Sequence, residues 1–214
     1  MSQVYNNNNN NIIRILVCGN QYVGKTSLIQ KLRTNDFQEN YTPTVGVDFT
    51  SIKYEINQKK VQLRLFDISG QNRYLDLIPS QVRNIDGVVF IYDITDLNSF
   101  LDITMWLNKV DSAANINIFK TLIGNKCDLS NRQVPYNKGQ EFSEEYNMNF
   151  FETSVRNGKD VQQSIYSLAN KIFFEKQKQE NHQTNQNQQN QSFDLRNSNS
   201  FFKTIYKRIQ YCYC

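Results

Sequence analysis

An α/β domain with a six-stranded, mostly parallel sheet, one antiparallel edge strand and helices on both faces is the fold this sequence predicts, on three observations. Apolar runs alternate with helix-like stretches along most of the chain. Two of those runs, Ile12 to Cys18 and Val88 to Ile94, are nearly continuous in Ile, Val, Leu and Phe, as strands buried on both faces require. A third, Val47 to Ile56, alternates instead: Asp48, Thr50, Lys53 and Glu55 interrupt Val47, Phe49, Ile52 and Ile56, the mark of a half-exposed antiparallel edge.

Residues 1–11 are polar and Asn-rich, are expected to be disordered, and lack the basic start and apolar centre of a secretory signal. The first strand, Ile12 to Cys18, leads into Gly19-Asn20-Gln21-Tyr22-Val23-Gly24-Lys25-Thr26, which fits G-x-x-x-x-G-K-[ST], and a helix over Lys25 to Thr34 follows. A polyphosphate needs several donors converging without bulk in the way. The glycines permit the turn, the loop N–H groups ring the phosphates, and the helix presents its positive end. Lys25 adds charge, and Thr26 supplies a hydroxyl for Mg²⁺, which prefers oxygen ligands.

Next comes the loop Tyr41-Thr42-Pro43-Thr44-Val45-Gly46, from which the Thr44 hydroxyl reaches Mg²⁺ only while a γ-phosphate draws the loop in. The edge strand Val47 to Ile56 turns at Asn57-Gln58-Lys59-Lys60 into a strand over Val61 to Ile68. A strand at Gly87 to Ile94 precedes a helix at Ser99 to Ser112; strands follow at Thr121 to Gly124 and Asn149 to Thr153, then a helix at Asp160 to Phe174. From about Lys176 the sequence is Gln/Asn-rich, with too little apolar surface to offset the entropy of ordering. Residues 12–175 are thus expected to form the globular domain and 176–214 a disordered tether.

At 214 residues the chain suits one domain with appendages. Cysteines at 18, 127, 212 and 214 form neither a disulfide framework nor a zinc site, so a reducing cytosolic setting is expected. The net charge of +4 is concentrated in the tail, where Lys176, Lys178, Arg196, Lys203, Lys207 and Arg208 face only Glu180 and Asp194. A balanced domain with a basic tail argues against nucleic acid and favours an anionic membrane surface. No apolar run approaches the roughly 20 residues that cross a bilayer.

Ligands of open parallel sheets collect at the carboxyl ends of the strands, so motifs at successive strand ends are expected to converge. After Phe66 comes Asp67-Ile68-Ser69-Gly70-Gln71: Asp67 can hold Mg²⁺ through water, the Gly70 N–H can meet a terminal phosphate, and Gln71 can orient an attacking water. Asn125-Lys126-Cys127-Asp128 follows a strand, and the Asp128 carboxylate can accept from the two donors at guanine N1 and N2. Adenine would leave that carboxylate unpaired. Thr153-Ser154-Val155 either caps a helix or adds backbone donors, from Ser154 and Val155, to the base oxygen. Phe37 either stacks on the base edge or packs in the core.

The segments GNQYVGKT, TVGVDF, DISGQ, NKCD and ETSV, in this order over residues 12–175, resemble a small GTPase of the Ras superfamily and imply its P-loop G domain. VGVDF after Thr44, YDIT at Tyr92 to Thr95 and the Cys212-Tyr213-Cys214 ending resemble the Rab family. The resemblance implies binding of GTP and GDP with Mg²⁺, slow GTP hydrolysis, and a switch in intracellular vesicle trafficking. It implies geranylgeranyl groups on Cys212 and Cys214, and two lipid chains give durable anchorage where one holds reversibly. The implied partners are an exchange factor, a GTPase-activating protein, a GDP-dissociation inhibitor, a prenylation escort protein and GTP-dependent effectors. The implied location is the cytoplasmic face of an intracellular membrane, with a cytosolic pool.

Departures from the family pattern are Gln21 and Tyr22, where small residues are usual, Phe66, Ser69, Asn72-Arg73-Tyr74 and Val155. Gln21 and Tyr22 motivate a rival reading, a nucleotide-binding scaffold with little or no GTPase activity. An ATP-dependent kinase is a weaker rival, because NKCD selects guanine.

Overall fold

The computed structural model of the chain describes residues 11–37, 43–114, 118–179 and 181. The chain divides into two compact units, Met1–Phe173 and Phe174–Cys214. In the second, 174–179 are helical, and the lipid-bearing candidates Cys212 and Cys214 lie outside the described residues, as do residues 1–10 and most of the expected tether.

In the first unit the strands are β1 (Ile12–Cys18), β2 (Val47–Ile56), β3 (Lys59–Ile68), β4 (Gly87–Asp93), β5 (Phe119–Asn125) and β6 (Asn149–Glu152). They form one sheet in the order β2-β3-β1-β4-β5-β6. Every pairing is parallel except β2 with β3. The antiparallel edge strand expected from the alternation of Val47 to Ile56 is therefore present. Its turn is tighter than the sequence indicated: Ile56 pairs with Lys59, and Asn57 and Gln58 alone take the bend, at φ 49° and 62°. Two consecutive left-handed residues match the right-handed twist of the flanking strands.

The helices are α1 (Lys25–Thr34), α2 (Ile78–Val82), α3 (Leu97–Leu101), α4 (Ile103–Ala113), α5 (Tyr136–Glu145) and α6, over 161–173 of this unit. Apolar positions divide by parity between two cores, one on each face of the sheet. Ile13, Ile15 and Val17 of β1 and Val89 and Ile91 of β4 pack with Leu28 and Ile29 of α1 and with Ile165, Leu168 and Ile172 of α6. Their neighbours Leu16, Cys18, Val88, Phe90 and Tyr92 pack with Ile78 and Val82 of α2 and with Ile103, Trp106 and Val110 of α4. All seven residues of β4 are buried, the two-sided burial that continuous apolar content demands.

Three elements differ from the sequence expectation. The helix expected over Ser99 to Ser112 is broken at Asp102 into α3 and α4. α5 had no sequence signal, because its buried positions are Gly139 and Ser143. A methyl group at Gly139 would come within 2.5 Å of both the Phe150 ring and the Tyr92 hydroxyl, so close packing there excludes the apolar side chain that periodicity would register. α2 is a five-residue helix, and a 3-10 turn over Asn72–Leu77 precedes it; both are too short to carry a period.

Candidate functional site

The loop from Gly19 to Gly24 joins β1 to α1 through two glycines at φ 143° and 100°. A Cβ at Gly19 would lie 2.1 Å from the Ile91 carbonyl, and one at Gly24 would lie 2.3 Å from the Asn125 carboxamide. Only glycine allows β4 and β5 to approach this closely. Tyr22 also has positive φ, 65°, and is 64% exposed at the cavity mouth, a conformation that an aromatic side chain rarely adopts. Gln21 is half-exposed, and Val23 is buried.

Lys25 is buried, and its ammonium donates to the carbonyls of Gly19 at 2.8 Å and Asn20 at 2.7 Å. Burial pushes its pKa down to about 8, against the pull of the Asp67 charge. A polyphosphate arriving over the loop would favour the ammonium form.

Thr26, Thr44 and Asp67 come from α1, the loop before β2 and the end of β3, and their oxygens converge. The Thr26 hydroxyl donates to Asp67 Oδ2 and lies 3.0 Å from the Thr44 hydroxyl, which is 3.4 Å from the same carboxylate oxygen. The Ser69 N–H donates to the Gly46 carbonyl at 2.9 Å, tying the Thr44 loop to the end of β3. Asp67 Oδ1 is buried without a hydrogen-bond partner. Desolvation raises the Asp67 pKa, opposed by the Thr26 hydrogen bond, the Lys25 charge and the Thr44 hydrogen bond.

Asn125 ties the loop after β1 to the segment after β6. Its Nδ2 donates to the Val23 carbonyl at 2.8 Å, while Oδ1 accepts from the Thr153 hydroxyl at 3.1 Å and from the Val155 N–H at 3.4 Å. Asn125→Ala removes all three contacts. It is expected to lower unfolding free energy by about 1–3 kcal/mol, measured by urea denaturation. Lys126, at φ 65°, pairs with Asp93 at 2.6 Å. The other Asp93 oxygen accepts from the Thr95 N–H and hydroxyl.

Many of these groups line one cavity of about 340 Å³, whereas Asp67, Gly19, Asn20, Gln21 and Val23 stand outside its lining. Gly24, Lys25, Thr26, Thr44 and Gly70 line it together with Asn125, Lys126, Asp128 and Val155. Phe37 lines the cavity and also packs against the α1/α6 core, so both of its expected roles are compatible with its position. Ser154 is fully buried behind the wall, with its N–H donated to the Lys159 carbonyl at 3.1 Å. Gln71 follows Gly70 in the bend and is not among the lining residues. Sequence reasoning missed Ser27, Gln30, Ser69, Leu129 and Arg156 in the lining, and the Asp93 anchor of Lys126. Asp93 lies within YDIT, so position at a strand end was the signal that could have found it.

The sequence is similar to known proteins over most of its length. The Ras family model matches residues 14–174. Ras-related protein RIC1 of Oryza sativa subsp. japonica is 35% identical over 162 residues, covering 75% of this chain and 80% of that protein. GTP-binding protein ypt2 of Schizosaccharomyces pombe is 32% identical over 176 residues, 82% of this chain and 88% of that protein. GTP-binding protein YPT1 of Saccharomyces cerevisiae is 34% identical over 162 residues, 75% of this chain and 79% of that protein. A β2-β3-β1-β4-β5-β6 sheet whose strand ends bring these segments to one cavity, and similarity of this extent, lead to one conclusion: the chain belongs to the Ras family and is a GTPase of the Rab type.

Proposed function

We propose that this GTPase is a Mg²⁺-dependent guanine-nucleotide switch anchored to an intracellular membrane and acting in vesicle trafficking. One observation carries the nucleotide reading: Lys25 and Thr26 line the same cavity as Asn125 and Asp128. Guanine pairs with the Asp128 carboxylate and lies beside Lys126 and Val155, with Phe37 at its edge. The loop amides of Gly19 to Thr26 and the Lys25 ammonium bind the phosphates.

Thr26, Thr44 and Asp67, the last through water, fit Mg²⁺. The donors are all oxygens, and Asp67 Oδ1 is a buried acceptor with no protein partner, as a hard cation's water shell would use. Water and phosphate oxygens would complete the octahedral shell. When bound, Mg²⁺ neutralises charge on the phosphates. Gln71 orients water for attack on the γ-phosphorus; the bond to the β-phosphate oxygen breaks, and GDP and phosphate leave. The Gly70 N–H and Thr44 hold the flanking loops while the γ-phosphate is present and release them afterwards.

Hydrolysis is slow until a GTPase-activating protein contributes on the order of 10³ to 10⁵. Membership of the Rab type supports the remaining partners: exchange factor, GDP-dissociation inhibitor, prenylation escort protein and effectors. It supports lipid on Cys212 and Cys214 as well; among the described residues no helix is long and apolar enough to cross a membrane. Single-turnover hydrolysis of radiolabelled GTP tests the reading. Gln71→Leu is expected to slow cleavage at least about tenfold while GDP affinity holds; unchanged stimulated cleavage would remove Gln71 from its role. An unaltered chain that retains GTP uncleaved, even with cell extract, would favour the scaffold.

A further inference from the structure

Asp102 sits immediately before α4, where an aspartate ordinarily accepts a hydrogen bond from the first turn of its own helix. Its carboxylate makes no such bond. Oδ2 instead accepts from Nδ2 of Asn20, 82 positions away in the chain, at 2.6 Å. The carboxamide oxygen of Asn20 accepts from Nε1 of the fully buried Trp106, one turn along α4, at 2.9 Å. Both ends of one phosphate-loop side chain are therefore fixed by a single helix.

What that side chain fixes is the peptide that follows it. The Asn20 carbonyl accepts from the Lys25 ammonium at 2.7 Å. On the same peptide rests Gly70, so close that a Cβ there would lie 2.3 Å from Asn20 C and from Gln21 N. We infer that Asp102, acting through the Asn20 carboxamide, is a positioning residue for nucleotide retention and GTP cleavage, because it sets the peptide on which Lys25 and Gly70 both rest. The inference rests on the assignment of Gly19 to Thr26 to phosphate. A hydrogen bond to a carboxylate is about twice as strong as a neutral one, and here it replaces a local cap that any N-terminal aspartate makes without distant help. The break between α3 and α4 falls at the residue that makes this contact.

The test exchanges the two groups. N20D, D102N, N20A and the double variant N20D/D102N are prepared in the full chain and loaded with fluorescent GDP, and release, single-turnover GTP cleavage and thermal midpoint are measured. N20D sets two carboxylates against each other and N20A removes both bonds. Each is expected to release GDP about tenfold faster, the ratio given by ~1.4 kcal/mol, and to cleave GTP more slowly. The double variant restores one donor, one charged acceptor and an oxygen for the indole N–H, and is expected within about twofold of the unaltered chain in release and cleavage. A merely structural contact would move the thermal midpoint and leave cleavage by the loaded protein unchanged. N20A keeps the test open if N20D fails to fold. Release and cleavage unchanged in N20A, or a double variant no better than N20D, would overturn the pairing alone. Failure of the unaltered chain to hold GDP would overturn the phosphate assignment beneath it.

Discussion

Lys25→Ala is expected to weaken GDP binding by about three orders of magnitude. Two charge-assisted hydrogen bonds to phosphate oxygens at about 2 kcal/mol each give roughly that ratio. The ammonium sits at the loop's own carbonyls, 2.8 Å from that of Gly19 and 2.7 Å from that of Asn20, so its third donor is directed to phosphate and one carbonyl bond is exchanged for the second phosphate contact. Burial lowers its pKa to about 8, so in the absence of nucleotide the charge is held against a desolvation penalty. Removing it relieves that penalty but also takes two hydrogen bonds from the loop carbonyls, and the thermal midpoint of the empty protein separates lost binding from lost structure. Titration with fluorescent GDP checks the affinity; a decrease of less than about tenfold would take Lys25 out of the phosphate site.

Gly70→Ala is expected to destabilise the domain by about 1–3 kcal/mol and to depress GTP cleavage more than GDP retention. The added methyl meets the Asn20–Gln21 peptide face on, at 2.3 Å from Asn20 C and Gln21 N and 2.5 Å from the Asn20 carbonyl oxygen. Backbone cannot rotate aside as a flexible side chain does, so either the bend at Ser69 to Gln71 or the phosphate loop must move. The bend is the weaker of the two, because the loop is held by Asn125 at Val23 and by Asp102 at Asn20. Displacing the bend carries Gln71 and the Gly70 N–H away from the γ-phosphate position, while the GDP contacts of the loop survive. The ratio of GTP to GDP affinity, with single-turnover cleavage, reports the effect. An unchanged ratio would mean that Gly70 has no part in sensing the γ-phosphate.

Legibility in the sequence follows how local the physical demand is. The phosphate loop and α1 were readable because glycine permissiveness, a lysine and a helix start act within eight residues. β2 was readable because only one of its faces is covered, and its turn was placed too broadly because Asn57 and Gln58 bend without glycine. Asp102 was read as helix interior: the reason for the break is Asn20, and no window on one segment contains both. α5 was missed for the related reason that Gly139 is dictated by Phe150 and Tyr92, which are remote in the chain. Residues with a demanding chemistry, such as Lys25, Thr26, Asp67, Asn125 and Asp128, stand out in the sequence, and all of these except Asp67 line the cavity. Gln30 and Leu129, which only complete the cavity wall, carry no such mark. Asn125 was assigned to the base, yet its contacts to Val23, Thr153 and Val155 make it the brace between loop and base segments.

On the function proposed above, dispersed strand-end segments form one guanine-selective, Mg²⁺-dependent pocket. Calorimetric titration of the nucleotide-free chain with GDP, GTP and ATP, each with Mg²⁺ and with chelator, measures it directly. Saturable binding of both guanine nucleotides at micromolar concentration, tightened by Mg²⁺ and absent for ATP, is the predicted result. No heat from GDP or GTP, or equal binding of ATP, would contradict it.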